Sequence, residues 1–253
     1  MSENPLHIEA DGEVAIVRLC LGTTNPLGVD LVARLADALQ TIRGESAYRG
    51  LVLTSHNDRF FSIGFDLPHL ISLPRADFAT FYRAFNLMCL SLYTLPKPTA
   101  AAISGHATAG GCILALCCDY RLIAEGRRLI GLNEIKLGVP VPYAADRILR
   151  DTVGSRNARL VVESGDFYSP ETAAELGLVH EVLPGQELVR RAAERVRALG
   201  SASGSAFAEI KRSRTEVVER LIRSHLDETD RAFVECWYSQ PARSRLNEAL
   251  AKF

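Results

Sequence analysis

Apolar positions change their spacing along this chain, and each change marks a different kind of element. Two short apolar runs, residues 7–10 and 14–21, flank Asp11-Gly12, a pair suited to the tight turn of a β-hairpin. Leu31, Val32, Leu35, Leu39 and Ile42 then recur at intervals of three and four, which predicts a helix over 30–43. Gly50-Leu51-Val52-Leu53-Thr54 is short and apolar, as expected of a buried strand. A longer helical pattern rich in Phe, Tyr and Leu covers about residues 76–94 and is broken by Pro96-Lys97-Pro98. Residues 99–103 are small and apolar, and predict a strand buried on both faces.

A helix is predicted from Gly110 through Cys117, with short strands at 120–124 and 129–132. From Ala144 onward the pattern is almost wholly helical, with breaks at Gly154, Gly165, Gly177, Gly185 and between Gly200 and Gly204. Strand-strand-helix units are therefore expected in the first half and helices in the second. The helical half reads as an appendage packed on the core or on a neighbouring subunit. Neither a repeat nor a low-complexity tract interrupts the chain.

Composition narrows the classes. Of 253 residues, 47% are hydrophobic and 23% charged, enough for a sizeable soluble core. A formal net charge of -1 argues against a nucleic-acid or anionic-membrane partner recognised by bulk electrostatics. The small basic cluster Lys211, Arg212 and Arg214 does not change that. The six cysteines lie mostly in apolar runs, without metal-ligand spacing, so no metal site and a reducing compartment are expected. Neither a targeting pattern nor an apolar run of transmembrane length is present, which makes a cytoplasmic location the expectation.

Chemistry concentrates in two glycine loops and one carboxylate. The first loop is Phe60-Phe61-Ser62-Ile63-Gly64-Phe65-Asp66-Leu67 and the second Ser104-Gly105-His106-Ala107-Thr108-Ala109-Gly110-Gly111-Cys112. Each lies where a strand hands over to a helix, so its backbone N–H groups are free to face a ligand. Two such donors converging on one point make an oxyanion hole, and Glu134, set between apolar residues, is the candidate base. Steric need alone would also explain the Gly-Gly pair, and a surface glutamate beside Lys136 would be the plain reading of Glu134. Cys112, Cys117 and Cys118 are read as core packing, Asp66 as a helix cap and Asp119 as structural; His106 is open between ligand contact and structure. No G-x-S-x-G elbow, P-loop or dinucleotide fingerprint is found.

Together these segments resemble the crotonase superfamily, the enoyl-CoA hydratase/isomerase family. Phe61-Ser62-Ile63-Gly64-Phe65-Asp66-Leu67 is similar to the first signature of that family, and Gly105 through Cys112 to the second. The resemblance implies an α/β fold, a crotonase-like spiral of β-β-α turns with a helical C-terminal region. It places the spiral core and catalytic site in 1–195, and acyl-pocket and oligomer contacts in 196–253. It implies a homotrimer or a dimer of trimers, an acyl-CoA thioester as substrate and no cofactor. The N–H groups of Phe65 and Gly110 would form the oxyanion hole, with Ile63, Gly64, Leu67, Gly111, Ile113, Leu132 and Val139 about the substrate. Phe233, Trp237 and Tyr238 would line the acyl pocket or a subunit contact.

One departure refines the reading. Hydratases of the family carry a second glutamate where this chain has Ile113, and a glycine-rich turn where it has Gly138-Val139-Pro140-Val141-Pro142-Tyr143. Ala109-Gly110-Gly111-Cys112, Cys118-Asp119-Tyr120-Arg121 and Ile130-Gly131-Leu132-Asn133-Glu134 instead resemble the monofunctional 3,2-trans-enoyl-CoA isomerases, whose chemistry needs a single base. The alternatives are a one-glutamate enoyl-CoA hydratase or an acyl-CoA thioester hydrolase, and, outside enzymes, a CoA-binding scaffold. Chain length and pathway, whether fatty-acid metabolism or another, stay open.

Overall fold

The computed structural model describes residues 4–201 and 204–251. The hairpin forms as expected: β1 (Leu6–Asp11) pairs antiparallel with β2 (Val14–Leu19) across Gly12. β3 (Pro26–Leu27) leads into α1 (Val29–Gly44), and β4 (Gly50–Ser55) follows. β5 (Phe60–Ser62) and β6 (Gly64–Phe65) carry the first glycine loop into α2 (Leu67–Ser72) and α3 (Arg75–Tyr93). β7 (Thr99–Ile103) and β8 (His106–Thr108) lead to α4 (Gly110–Leu116), then β9 (Tyr120–Ala124), β10 (Ile130–Gly131) and a 3₁₀ turn, Glu134–Leu137. The rest comprises α5 (Tyr143–Ser164), β11 (Phe167–Tyr168), α6 (Pro170–Glu175), β12 (Glu181–Leu183), α7 (Leu188–Ser201), α8 (Gly204–Trp237) and α9 (Gln240–Leu250).

Three times the chain lays a strand in a large sheet and then one in a small sheet: β4 then β5, β7 then β8, β9 then β10. The large sheet has the order β1-β2-β4-β7-β9-β12, parallel except for the hairpin, and the small one β11-β10-β8-β5. β3 and β6 form a separate parallel pair. This is the crotonase spiral, an α/β fold with a helical C-terminal region.

Why the strands of the large sheet read as unbroken apolar runs is now plain. Leu51, Leu53, Ala101 and Ile103 face one apolar cluster with α1, α3 and α4, whereas Val52, Ala100, Ala102 and Leu122 face another with Ala192, Ala193 and Val196 of α7. Alternation is erased because both faces are buried. The division drawn at 195/196 falls inside α7, whose apolar face covers the sheet. α8 is long and amphipathic, and Asp230 on its buried stripe accepts from Asn86 Nδ2 of α3 at 2.8 Å.

The second half differs from the sequence expectation in holding strands. β11 extends the small sheet through antiparallel pairing with β10, and β12 extends the large sheet beside β9. Both are short and gain their hydrogen bonds only from partners distant in sequence, a tertiary effect that local periodicity does not carry. Gly154 breaks α5 with φ of 76°, as the pattern suggested, while the break between Gly200 and Gly204 centres on residues outside the described ones. No helix among the described residues is long and apolar enough to cross a membrane.

Candidate active site

The first loop is held from beneath by a residue the sequence reading did not single out. Asn25 is fully buried and adopts positive φ (45°), a conformation asparagine tolerates better than most residues. Its Nδ2 donates to Ser55 Oγ at 2.8 Å and to Phe61 O at 3.1 Å, and its Oδ1 accepts from the Leu21 N–H at 2.8 Å. Ser62 Oγ donates to Asn25 O at 2.8 Å and accepts from the Gly64 N–H at 3.1 Å. On the far side of Phe65, the Asp66 N–H bonds to Leu27 O at 3.1 Å and the Asp66 carboxylate caps α2 by accepting from the His69 N–H. Phe65 is thus fixed on both flanks.

Close backbone approach joins the two loops. Gly64 has φ of +99°, and a Cβ there would stand 2.9 Å from the Gly110 nitrogen, so only glycine lets the loops meet. A Cβ on Gly111 would stand 2.2 Å from Ser62 O, which explains the second glycine of the pair by packing. Thr108 Oγ1 donates to Ile63 O at 2.9 Å, a further tie between the loops. Ala109 takes φ 48° and ψ −118°, a conformation suited to glycine, and is held there by its N–H on Gly131 O at 2.9 Å and its carbonyl on the Ile113 N–H at 3.0 Å. That turn starts α4, so the N–H of Gly110, in its first turn, has no acceptor within the helix.

Glu134 opens the 3₁₀ turn after β10 and is 6% exposed. Its Oε2 is buried with no hydrogen-bond partner among the described residues. Burial pushes its pKa up to about 7, opposed in part by its own backbone N–H. A carboxyl group so placed is poised to take and return a proton near neutral pH.

Both loops and Glu134 line a single cavity of about 350 Å³. Ile63, Phe65, Leu67, Gly110, Ile113 and Val139 face it, and Glu134 is the only carboxylate among the described residues of its lining. Phe233 and Trp237 from α8 line it too. The Phe65 ring stands edge-on to Phe81 and Phe85 at 5.2 and 4.9 Å, and Trp237 stacks on Phe78 at 4.4 Å. This end of the cavity is a wall of interlocked aromatic rings.

Three expected substrate contacts stand elsewhere. Gly64, Gly111 and Leu132 do not line the cavity. The glycines form the contact between the loops behind the wall, and Leu132, with no exposed surface, belongs to the core. Tyr238 also points away, donating to Leu73 O at 2.8 Å. His106 lines the cavity and has a structural role as well, its Nδ1 accepting from the Leu129 N–H at 3.1 Å. Partial burial, with Arg128 and Arg59 nearby, lowers its pKa and favours the neutral ring.

Lining residues that the sequence reading passed over include Leu129, Asn133, Pro142, Phe167 and Ala249. Phe167 had a signal, an aromatic pair between Gly165 and Ser169-Pro170, whereas Ala249 arrives through the packing of α9 and had none. Cys112, Cys117 and Cys118 are buried in the core, and no metal-holding group of His, Cys, Asp or Glu occurs among the described residues. Lys211 is buried on Asp119 and Arg212 pairs with Glu209 and Glu216, which leaves Arg214 as the member of the small basic cluster exposed without an ion pair among the described residues.

Comparison with known proteins places this geometry. The sequence model of the enoyl-CoA hydratase/isomerase family matches residues 9–249. Mitochondrial enoyl-CoA delta isomerase 1 of mouse is 33% identical over 188 residues, 73% of this chain and 65% of that protein. The human counterpart is 32% identical over 181 residues, 71% of this chain and 60% of that protein. The matches thus span somewhat less than two thirds of these relatives' lengths. The crystal structure of human mitochondrial delta3-delta2-enoyl-CoA isomerase superposes with a TM-score of 0.95 at 26% identity, covering 98% of each chain. The chain therefore belongs to the enoyl-CoA hydratase/isomerase family.

Proposed function

We propose that this protein is an acyl-CoA isomerase that moves a double bond from the 3,4 to the 2,3 position of an enoyl-CoA. The observation that carries the reading is that Glu134 is the single carboxylate among the described residues lining an otherwise largely apolar cavity, with Ile113 on the wall. Likeness to delta isomerases from mouse and human supports it.

The chemistry follows from the groups present. In a 3-enoyl thioester the C2 hydrogens are acidified by both the thioester and the neighbouring alkene. Ionised Glu134 takes one of them, and the electron pair of the broken C–H bond spreads over C2, C4 and the thioester oxygen. The N–H groups of Phe65 and Gly110 stabilise the charge on that oxygen, each worth roughly 3 kcal/mol at such sites. Protonated Glu134 then returns the hydrogen to C4, the double bond settles between C2 and C3, and the base is regenerated. Ile113, Val139 and Leu137 keep water from the dienolate. No second acid is needed, and no cofactor takes part.

The test is product analysis on trans-3-hexenoyl-CoA and trans-2-hexenoyl-CoA in parallel. Conversion of the first to the 2-enoyl product, with little 3-hydroxyacyl product from the second, is expected. Rapid hydration of the second would replace this reading by a one-glutamate hydratase, and release of free CoA by a thioester hydrolase.

A further inference from the structure

A second cavity, of about 190 Å³, lies at the other end of α4, where Leu116 and Cys118 lead into β9, and no residue lines both cavities. Its lining contains two deeply buried cations. Arg121 is 4% exposed and Lys211 5% exposed. Buried charges of this kind are ordinarily balanced by an opposite charge within hydrogen-bond reach.

Here the balance is incomplete. Lys211 Nζ donates to Asp119 Oδ2 at 2.7 Å and to Lys97 O at 3.3 Å, and its third N–H has no partner among the described residues. Arg121 has no carboxylate partner among the described residues: Nε donates to Leu178 O at 2.8 Å and Nη1 to Cys118 O at 2.7 Å. Its Nη2 makes no hydrogen bond to a described residue. Asp119 is further occupied by the N–H and hydroxyl of Thr99 at 2.8 and 3.0 Å. Asp119 thus answers Lys211 alone, and the charge of Arg121 is left over beside an open cavity.

The rest of the lining adds donors and an apolar strip. His180 Nδ1 accepts from the Arg121 backbone N–H at 3.2 Å, so its Nε2 carries the ring proton. Arg214 is exposed at the rim and forms no ion pair with the described residues. Asp151, the other carboxylate of the lining, is engaged by the Tyr93 hydroxyl at 2.7 Å and offsets Arg214. Leu116, Phe207 and Ile210 supply apolar surface, and Ile210 is 60% exposed.

We propose that this cavity binds a small organic carboxylate. The anionic head meets Arg121 Nη2 and the free N–H of Lys211, and a short apolar tail lies along Ile210 and Phe207. A monoanion matches the single excess charge, whereas a phosphate dianion would overshoot it beside Asp119 and Asp151. This inference does not rest on the acyl-CoA reading.

Calorimetric titration of the full chain with butyrate, acetate and inorganic phosphate at constant ionic strength tests it. Butyrate is expected to saturate one site per chain, acetate to bind more weakly and phosphate more weakly still. Arg214→Glu should weaken butyrate at least tenfold without changing turnover of the acyl-CoA substrate, and Ile210→Ser should erase the advantage of butyrate over acetate. Retention of butyrate binding in Ile113→Glu, which adds a negative charge to the other cavity and so repels a carboxylate there, would place the ligand here. No saturable binding, binding unmoved by Arg214→Glu, or phosphate binding more tightly than butyrate would each overturn the proposal.

Discussion

Glu134 is buried and Asp119 half-buried, and of the two only Asp119 has a counter-charge among the described residues. Asp119 accepts from Lys211 and Thr99, and its charge is fully employed in holding α8 against the start of β7 and β9. Glu134 has an oxygen with no hydrogen-bond partner among the described residues, and burial, opposed in part by its own backbone N–H, pushes its pKa up to about 7. The charge of Asp119, a residue only partly buried, is answered by a lysine and two donors of Thr99. A buried, unpaired carboxylate sits near the midpoint of its titration at neutral pH, where it can gain and lose a proton with little free-energy change. Pairing and burial together separate structure from chemistry in this fold.

Substituting each carboxylate by its amide tests that contrast most severely. Glu134→Gln should lower isomerisation by roughly a thousandfold, the scale of a lost general base, measured as kcat on a 3-enoyl-CoA. It should also stabilise the protein at alkaline pH. The folded pKa of Glu134 lies above its unfolded value, so the wild type loses stability as pH rises from about 4.5 to about 7. The full penalty, about 3 kcal/mol, persists above that window and is absent below it. Urea unfolding at pH 5 and pH 9 reads the difference; equal stability of the variant and wild type at pH 9 would mean that Glu134 is not strained by its site.

Asp119→Asn should do the reverse. It leaves Lys211 buried without its counter-charge, a loss of about 3 kcal/mol on the scale of broken buried pairs, with turnover per folded molecule nearly unchanged. Burial already lowers the Lys211 pKa, so in this variant the lysine can shed its proton as pH rises. The deficit should therefore be largest near neutral pH and shrink toward alkaline pH, opposite to the trend at Glu134. A deficit that grows with pH would break the comparison.

Introducing a second carboxylate into the apolar cavity should give a smaller, qualitative effect. Ile113→Glu places an acid on the wall shared with Glu134. Two neighbouring carboxylates resist ionising together, so the acid limb of kcat/KM should move above its wild-type position near pH 7. Isomerisation at pH 7 should fall by about fivefold for the first unit of that shift and about tenfold for each further unit, and 3-hydroxyacyl-CoA should appear from a 2-enoyl-CoA. An unchanged product ratio and pH profile would show that the position does not govern water.

Much of this was legible in the sequence, for physical reasons that differ by element. The strands 50–54 and 99–103 declare themselves because a sheet covered on both faces needs unbroken apolar runs. The glycine loops declare themselves because close backbone approach excludes a Cβ. Asn25 was not legible: its importance lies in bonds to Ser55 and Phe61, thirty or more positions away. Neither was the split within the loops, where Ile63 and Phe65 line the cavity and Gly64 between them does not. The sequence brings neighbours together, but strand geometry sends successive residues to opposite sides.

Ala109 offers the finest test, because there the site holds strain in place of charge. Its φ of 48° and ψ of −118° suit glycine, and the conformation aims the start of α4 at Gly64. Such a residue costs on the order of 1 kcal/mol or more, met by the bonds of its N–H and carbonyl to Gly131 and Ile113. Ala109→Gly should remove the steric part of that cost while enlarging the conformational freedom of the unfolded chain. Net stability should rise by less than about 1 kcal/mol. The loop, freed of its constraint, should hold the Gly110 N–H less firmly, so kcat should fall a few-fold with KM little changed. Because Ala109 carries no charge, neither effect should depend on pH between 5 and 9, and a pH-dependent loss would mean that the substitution had reached Glu134 instead.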